Sequence, residues 1–187
     1  MAKASKRGLI ASVAGFLVLT GCLFSPDSDD NPPDPIYYEP ADSAWKVVKN
    51  LETAYINRDH DAYMDCFRED FEFHLLETDW DDYDGDGIVD TYWGYDIEDL
   101  FSQNMFNAVE QIELVLTGTT EYPWIGDPTQ QSWALPRNFD LKVYTFVGGP
   151  SQPPEGYRAS GEAIFICRPD TTTGEWYIWQ WFDNSEV

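Results

Sequence analysis

Histidine, cysteine and basic side chains are all scarce in this chain. It has two histidines and three cysteines in 187 residues, and 11 Lys and Arg against 34 Asp and Glu, for a formal net charge of −23. No Ser, His and Asp series, no paired cysteine and histidine spacing and no glycine-rich phosphate loop is present, so triad hydrolysis, a zinc site and nucleotide binding have no motif to rest on. The negative charge repels nucleic acid, which is not an expected partner, and favours cations or basic partners; solubility is its plainest use. No apolar run reaches the ~20 residues a membrane-spanning helix needs.

The longest apolar run, 8–19, follows Lys3, Lys6 and Arg7 and is closed by Leu19, Thr20, Gly21 and Cys22. Residues 1–21 therefore read as a secretory signal peptide. Its ending resembles a bacterial lipobox, which implies that Cys22 becomes a lipidated, palmitate-type N-terminus attached to a membrane of the cell envelope. The alternative is an ordinary signal peptide that happens to hold a cysteine. Residue 23 is Leu rather than Asp, which by resemblance to enterobacterial sorting implies the outer membrane, facing the periplasm or exterior. Removing 1–21 takes away three of the 11 basic residues and no acid. Residues 22–40, rich in Pro, Asp and Ser, have no helical or strand period and read as a tether.

Residues 41–187 are long enough for one domain. Ala44, Val48, Leu51 and Tyr55, with Val47 and Ala54 beside them, recur at three and four residue steps, the pattern of a helix with one buried stripe. Asp42 or Ser43 caps its start. A second, shorter helix begins after Asp59 and carries Ala62, Tyr63, Cys66 and Phe67. Phe71, Phe73 and Leu75 then alternate with Glu72, His74 and Leu76 at strand spacing. A third helix is expected over 96–107, with Ile97, Leu100, Phe101 and Met105 on its buried side. Strands are expected over 109–118, 138–147, 157–168 and 175–182, the last three joined by strong turn signals and so antiparallel. The segment 119–136 reads as a long loop whose Trp124 and Trp133 either cover a pocket rim or pack on the core. In the last strand Trp176, Ile178 and Phe182 share one parity and Tyr177, Trp179 and Trp181 the other, so neither face is polar and both need cover.

Between the first strand and the third helix, Asp82, Asp84, Asp86, Gly87, Ile88 and Asp90 stand at positions one, three, five, six, seven and nine of a calcium-loop pattern. Alternate carboxylates can turn onto one ion, and the Ile88 carbonyl can supply another oxygen. Trp93 stands where a bidentate Glu would complete the loop, with Asp96 or Glu98 as substitutes. A solvated acidic turn is the competing reading. Cys66 and Cys167 are either a disulfide, which export permits, or two buried thiols.

The order of helix, turn, short helix and strand over 41–76, with the strands that follow, resembles an NTF2-like domain, the α+β cone shared by nuclear transport factor 2, the ketosteroid isomerases and SnoaL-type cyclases. The resemblance implies three helices in the N-terminal half packed on a curved antiparallel sheet, a pocket between them, and pairing into a homodimer through the outer sheet face. A flat aromatic platform for sugars is the alternative use of that face. The pocket is then lined by Leu51, Tyr55, Phe71, Phe73 and Leu75. The tyrosine and aspartate of the family's isomerases fall, without gaps, on Leu51 and Leu75, neither of which can move a proton. Tyr55, His74 and Asp140 remain as catalytic candidates. Three classes follow: a non-catalytic envelope lipoprotein binding a small apolar ligand, an assembly module acting as a homodimer, and a lyase or isomerase of SnoaL type.

Overall fold

Ser43 stands in extended backbone ahead of α1 (Ala44–Asn57), and Arg58, with φ 54°, closes it in the left-handed region. The computed structural model describes residues 34–127, 131–149 and 151–186, so the expected signal peptide 1–21 and the lipidation site Cys22 lie outside the described residues. The apolar spacing of α1 buries Ala44, Val47, Val48, Leu51 and Ala54, with no surface of Leu51 left exposed. Burying one such leucine stabilises by ~1.5–3 kcal/mol. Asp59 caps α2 (His60–Met64) by accepting the Ala62 N–H at 3.1 Å. The compact unit starts at Tyr37, earlier than the expected residue 41. Its first residues are bonded down: Tyr38 donates to Asp59 at 2.8 Å, and Glu39 and Asn50 exchange two hydrogen bonds.

Seven strands follow the order β2 (Tyr92–Gly94), β1 (Glu72–His74), β7 (Trp176–Glu186), β6 (Glu155–Pro169), β5 (Trp133–Phe146), β3 (Gln111–Thr117), with β4 (Tyr122–Pro123) also on β5. Most pairings are antiparallel, but β1 runs parallel to β7, so the sheet is mixed rather than wholly antiparallel. Helix α3 (Tyr95–Ala108) lies between β2 and β3 in the chain. The segment 119–136 is not a structureless loop, because β4 pairs with the start of β5. Pro136 falls within β5, in the gap between the β4 and β3 pairings, where a residue without an N–H is tolerated. On the described part of this connection Asp127 accepts from both the amide and the hydroxyl of Ser132. Trp124 from it reaches Phe182, with ring centroids 6.2 Å apart.

The last strand departs most from its simple alternation. Cys167 pairs with Ile178 but Ile166 with Gln180, so Trp179 is an extra residue in β7. A bulge of this kind reverses parity beyond it. Trp176, Ile178 and Trp181 therefore pack toward the helices, whereas Phe182 stacks on His74 on the other face with centroids 4.2 Å apart. Trp179 is also outside, under the Arg168 guanidinium at 4.1 Å. The outer face of the sheet is thus clad by its own polar groups, Glu72 accepting from Gln180 and His74, and Arg168 bonding Tyr177. Farther along, Glu113 pairs with Lys142 and Asp140 with Arg158. The expectation that both faces are apolar fails for this reason.

The side of α3 that packs inward also differs from expectation. Glu98, Ser102 and Phe106 are buried, while Leu100 is 50% exposed and Phe101 40%. Among the described residues no helix is long and apolar enough to cross a membrane.

Candidate functional site

Between the helices and the concave sheet face lies a cavity of ≈ 320 Å³. One side is aliphatic and aromatic: Leu114 and Leu116 of β3, Phe139 and Leu141 of β5, and Phe165 of β6. Room is made on β6 by Ala159 and Ala163, whose methyl groups stand where larger side chains would fill the space. Leu51 and Tyr55 of α1 and Met105 of α3 line it from the helical layer. Near β1 and β2, Phe73 stacks on Trp93 with centroids 4.4 Å apart and 4° between planes, and meets Trp181 at 5.0 Å. These rings form a continuous aromatic wall.

Polar groups are few and grouped. Glu98 lines the cavity with a 6% exposed side chain, accepting from the Tyr63 hydroxyl at 2.6 Å and from the Trp93 indole N–H at 2.7 Å. Burial raises its carboxyl above the usual range, and the two hydrogen bonds, which favour the ionised form, oppose that rise. Asp183 lies in the same lining. Tyr55 is pushed well above its ordinary value by burial first and then by the negative fields of Glu98 and Asp183, so it stays protonated and a donor. Its hydroxyl makes a long contact of 3.4 Å to the Met105 sulfur. Tyr63 is raised for the same two reasons, burial and Glu98.

Of the residues expected in the pocket, Leu51, Tyr55 and Phe73 are brought together in the lining. Phe71 is instead buried against Phe67, centroids 4.2 Å apart, and Leu75 lies beyond the end of β1, outside the lining. Among the catalytic candidates, Tyr55 faces the cavity. His74 and Asp140 do not: His74 bonds Glu72 and stacks on Phe182 on the opposite face, and Asp140 makes a two-pronged ion pair with Arg158. The second histidine, His60, contacts Asp99 at the surface of α3. Glu98, Asp183, Tyr63, Trp93 and Trp181 were not singled out as pocket residues by the sequence. For Glu98 a signal existed, since it stands three, four and seven residues before Phe101, Ser102 and Met105, all cavity residues.

In the acidic loop one carboxylate oxygen each of Asp82, Asp84 and Asp86 lies within 4.8 Å of the others. Asp90 is outside that group: its carboxylate accepts from Tyr83 N, and its backbone bridges Asp81. The same aspartates also hold the turn, Asp82 accepting from Gly85 and Gly87, Asp84 from Asp86, and Asp86 from Ile88. Gly85 and Gly87, at φ 78° and 88°, supply the left-handed backbone that the bend requires. Ile88 projects its side chain to solvent. Cys66 and Cys167 are free thiols, both buried.

No family model matches the chain, and no curated protein matches it. Among solved structures, it is similar to a conserved protein from Planctomyces limnophilus, with 15% identity over 76% of this chain and 92% of that one and a TM-score of 0.56. It is also similar to a protein from Novosphingobium aromaticivorans named as a candidate scytalone dehydratase, with 8% identity, coverage of 76% and 81% and a TM-score of 0.53. A protein with a cystatin-like fold from Caulobacter vibrioides gives 10% identity, coverage of 76% and 87% and a TM-score of 0.52. Three helices on a mixed, curved, open sheet, matched by these neighbours, give the chain the NTF2-like α+β cone fold.

Proposed function

We propose that the domain binds a small, largely apolar ligand in the cone, on a protein held at the cell envelope through a lipidated Cys22. The observation that carries the reading is an apolar cavity of ≈ 320 Å³, within the range of small-molecule sites, whose polar groups gather around Glu98. The anchor rests on the sequence: a basic start, a short apolar run and small residues before Cys22. Native mass spectrometry of the chain released from its envelope tests the cavity. A retained ligand lost in a cavity-filled variant supports the proposal, and an empty protein that takes up no apolar probe sinks it. Mass spectrometry of the membrane fraction tests the anchor, since a soluble mature chain with unmodified Cys22 rules it out.

A second reading, a lyase or isomerase, draws support from Glu98, Asp183 and Tyr55 lining one cavity. Two carboxyls and a phenol in an apolar enclosure can exchange a proton with a bound ring. Turnover lost in Glu98→Gln or Tyr55→Phe, with binding retained, is its signature. The homodimer reading has less support, because the outer face carries Glu113 with Lys142 and Asp140 with Arg158. Light scattering on the delipidated chain decides it. For the acidic loop we propose a calcium ion that orders the turn, held by Asp82, Asp84 and Asp86.

A further inference from the structure

Glu98 is a buried acid without a base. Its partners in the cavity wall, the Tyr63 hydroxyl and the Trp93 indole, are neutral donors, and among the described residues no lysine, arginine or histidine lines the cavity. Asp183 lines it as well. An ionised carboxylate in such a place keeps two hydrogen bonds but lacks the counter-charge that buried charges ordinarily have, and burial accordingly raises its carboxyl. A positive charge entering the cavity would provide that counter-charge. The chain's net charge of −23 adds to the preference for a cation and opposes an anion.

The wall beside Glu98 narrows the kind of cation. Trp93 gives its N–H to Glu98 at 2.7 Å, while its ring stacks on Phe73 and meets Phe101 edge-on with centroids 5.3 Å apart, so the carboxylate stands at the rim of an aromatic surface. Trp181 extends that surface, 5.0 Å from Phe73. A bare calcium or magnesium ion takes about six oxygen ligands, and an apolar lining with two carboxyls does not offer them. A primary ammonium brings N–H groups that each need an acceptor. An alkylated ammonium has few or none, and the faces of aromatic rings attract it. On the basis that the cavity is a ligand site, as proposed above, we infer that its ligand carries an alkylated ammonium on an apolar body, with the charge set against the wall of Phe73, Trp93 and Trp181 and with Glu98 as its counter-charge. Glu98 then determines specificity by charge, and the rings around it by shape.

The test is equilibrium dialysis of the full chain at pH 8 against three probes of similar shape: phenyltrimethylammonium, its neutral isostere tert-butylbenzene and the anion benzenesulfonate. The expected order is ammonium, then hydrocarbon, then sulfonate, with the ammonium about tenfold tighter than the hydrocarbon. In Glu98→Gln that ratio is expected to fall close to unity while tert-butylbenzene still binds, which also shows that the variant is folded. Should it not fold, the order of the three probes on the native chain decides. Ala159→Phe, which fills the cavity, and competition by tert-butylbenzene on the native chain each separate the cavity from the acidic surface, and ammonium binding that survives either one overturns the inference. Hydrocarbon bound as tightly as the ammonium, or a ratio unchanged in Glu98→Gln, overturns it as well while leaving the ligand-binding reading standing. Failure of all three probes to bind overturns both.

Discussion

Tyr63 and Glu98 lie 35 residues apart in the chain and meet in a 2.6 Å hydrogen bond on the cavity wall, the phenol donating to Oε1. The contact ties α2 to α3 and removes one acceptor site of the buried carboxylate from the solvation problem. Tyr63→Phe keeps the ring but removes the donor. It is expected to destabilise the chain by ~1.5–3 kcal/mol, the range for a hydrogen bond to a charged group, as measured by urea unfolding. It should also raise the Glu98 carboxyl further, because the Tyr63 bond is one of the two influences that lower it.

The raised Glu98 carboxyl has a consequence for stability against pH. Below the ordinary value of 4.5 the group is protonated whether the chain is folded or not. As pH rises past that value the unfolded chain ionises first, while the folded chain holds its proton until its own higher value is passed. Stability is therefore present at low pH and lost across that window. Glu98→Gln keeps the shape of the neutral acid and cannot ionise. The stability of the variant minus that of the native chain is expected to grow from pH 4 to pH 8 in parallel urea titrations, and a constant difference contradicts the shift.

How much of this was legible in the sequence depended on how local the cause was. The buried stripe of α1 follows from its own spacing, and Asp59 as a cap follows from its side chain. Glu98 reads in the sequence as a substitute ligand for the acidic loop, because an acid at the start of a helix next to that loop has no local sign of facing inward; its carboxylate instead bonds Tyr63 and Trp93 and stands outside the Asp82, Asp84 and Asp86 group. Only the tertiary position of Tyr63 and Trp93, from other elements, makes an inward carboxyl tolerable. Simple alternation groups Trp181 with Tyr177 and Trp179, whereas it shares a face with Trp176 and Ile178, and the reason is different. Strict alternation holds only while register holds, and the extra residue at Trp179 is fixed by pairing with β6, not by any local glycine or proline.

Calcium is expected to stabilise the chain through the acidic loop. Asp82, Asp84 and Asp86 hold three like charges within 4.8 Å, a repulsion that a divalent cation relieves. At a free concentration ten times its Kd, one bound ion adds about 1.4 kcal/mol, or ~3–5 °C in Tm for a domain of this size. Differential scanning fluorimetry with millimolar calcium measures it. Asp84→Asn keeps an acceptor for the Asp86 amide but removes a charge, and should abolish the increment. No shift in the native chain at millimolar calcium leaves the aspartates as turn formers only.

Cys66 and Cys167 are expected to resist alkylation in the native state. Burial pushes the Cys66 thiol up to about 12 and Cys167 higher still, so neither offers thiolate at pH 8. Iodoacetamide should label both only after denaturation, read by peptide mass spectrometry. Labelling of either in the folded chain at the rate of a free thiol contradicts their placement. A disulfide recovered from the exported protein contradicts their assignment as free thiols.

The two faces of the sheet allow the cavity to be separated from the rest of the molecule. Ala159 lines the cavity from β6, so Ala159→Phe puts a ring into space that is otherwise open rather than into packed core. Overpacking a filled core costs ~1–3 kcal/mol; here the cost should be near the lower end, because the new ring has a volume to enter. The variant is expected to keep its Tm within a few degrees (~2–4 °C per kcal/mol) and to lose uptake of apolar probes. His74→Ala is the matched control. It removes a ring from Phe182 and a partner from Glu72, both on the opposite face, and should leave probe binding unchanged while lowering stability modestly. If His74→Ala abolishes binding and Ala159→Phe does not, the ligand sits on the outer face, and the cone is not the site.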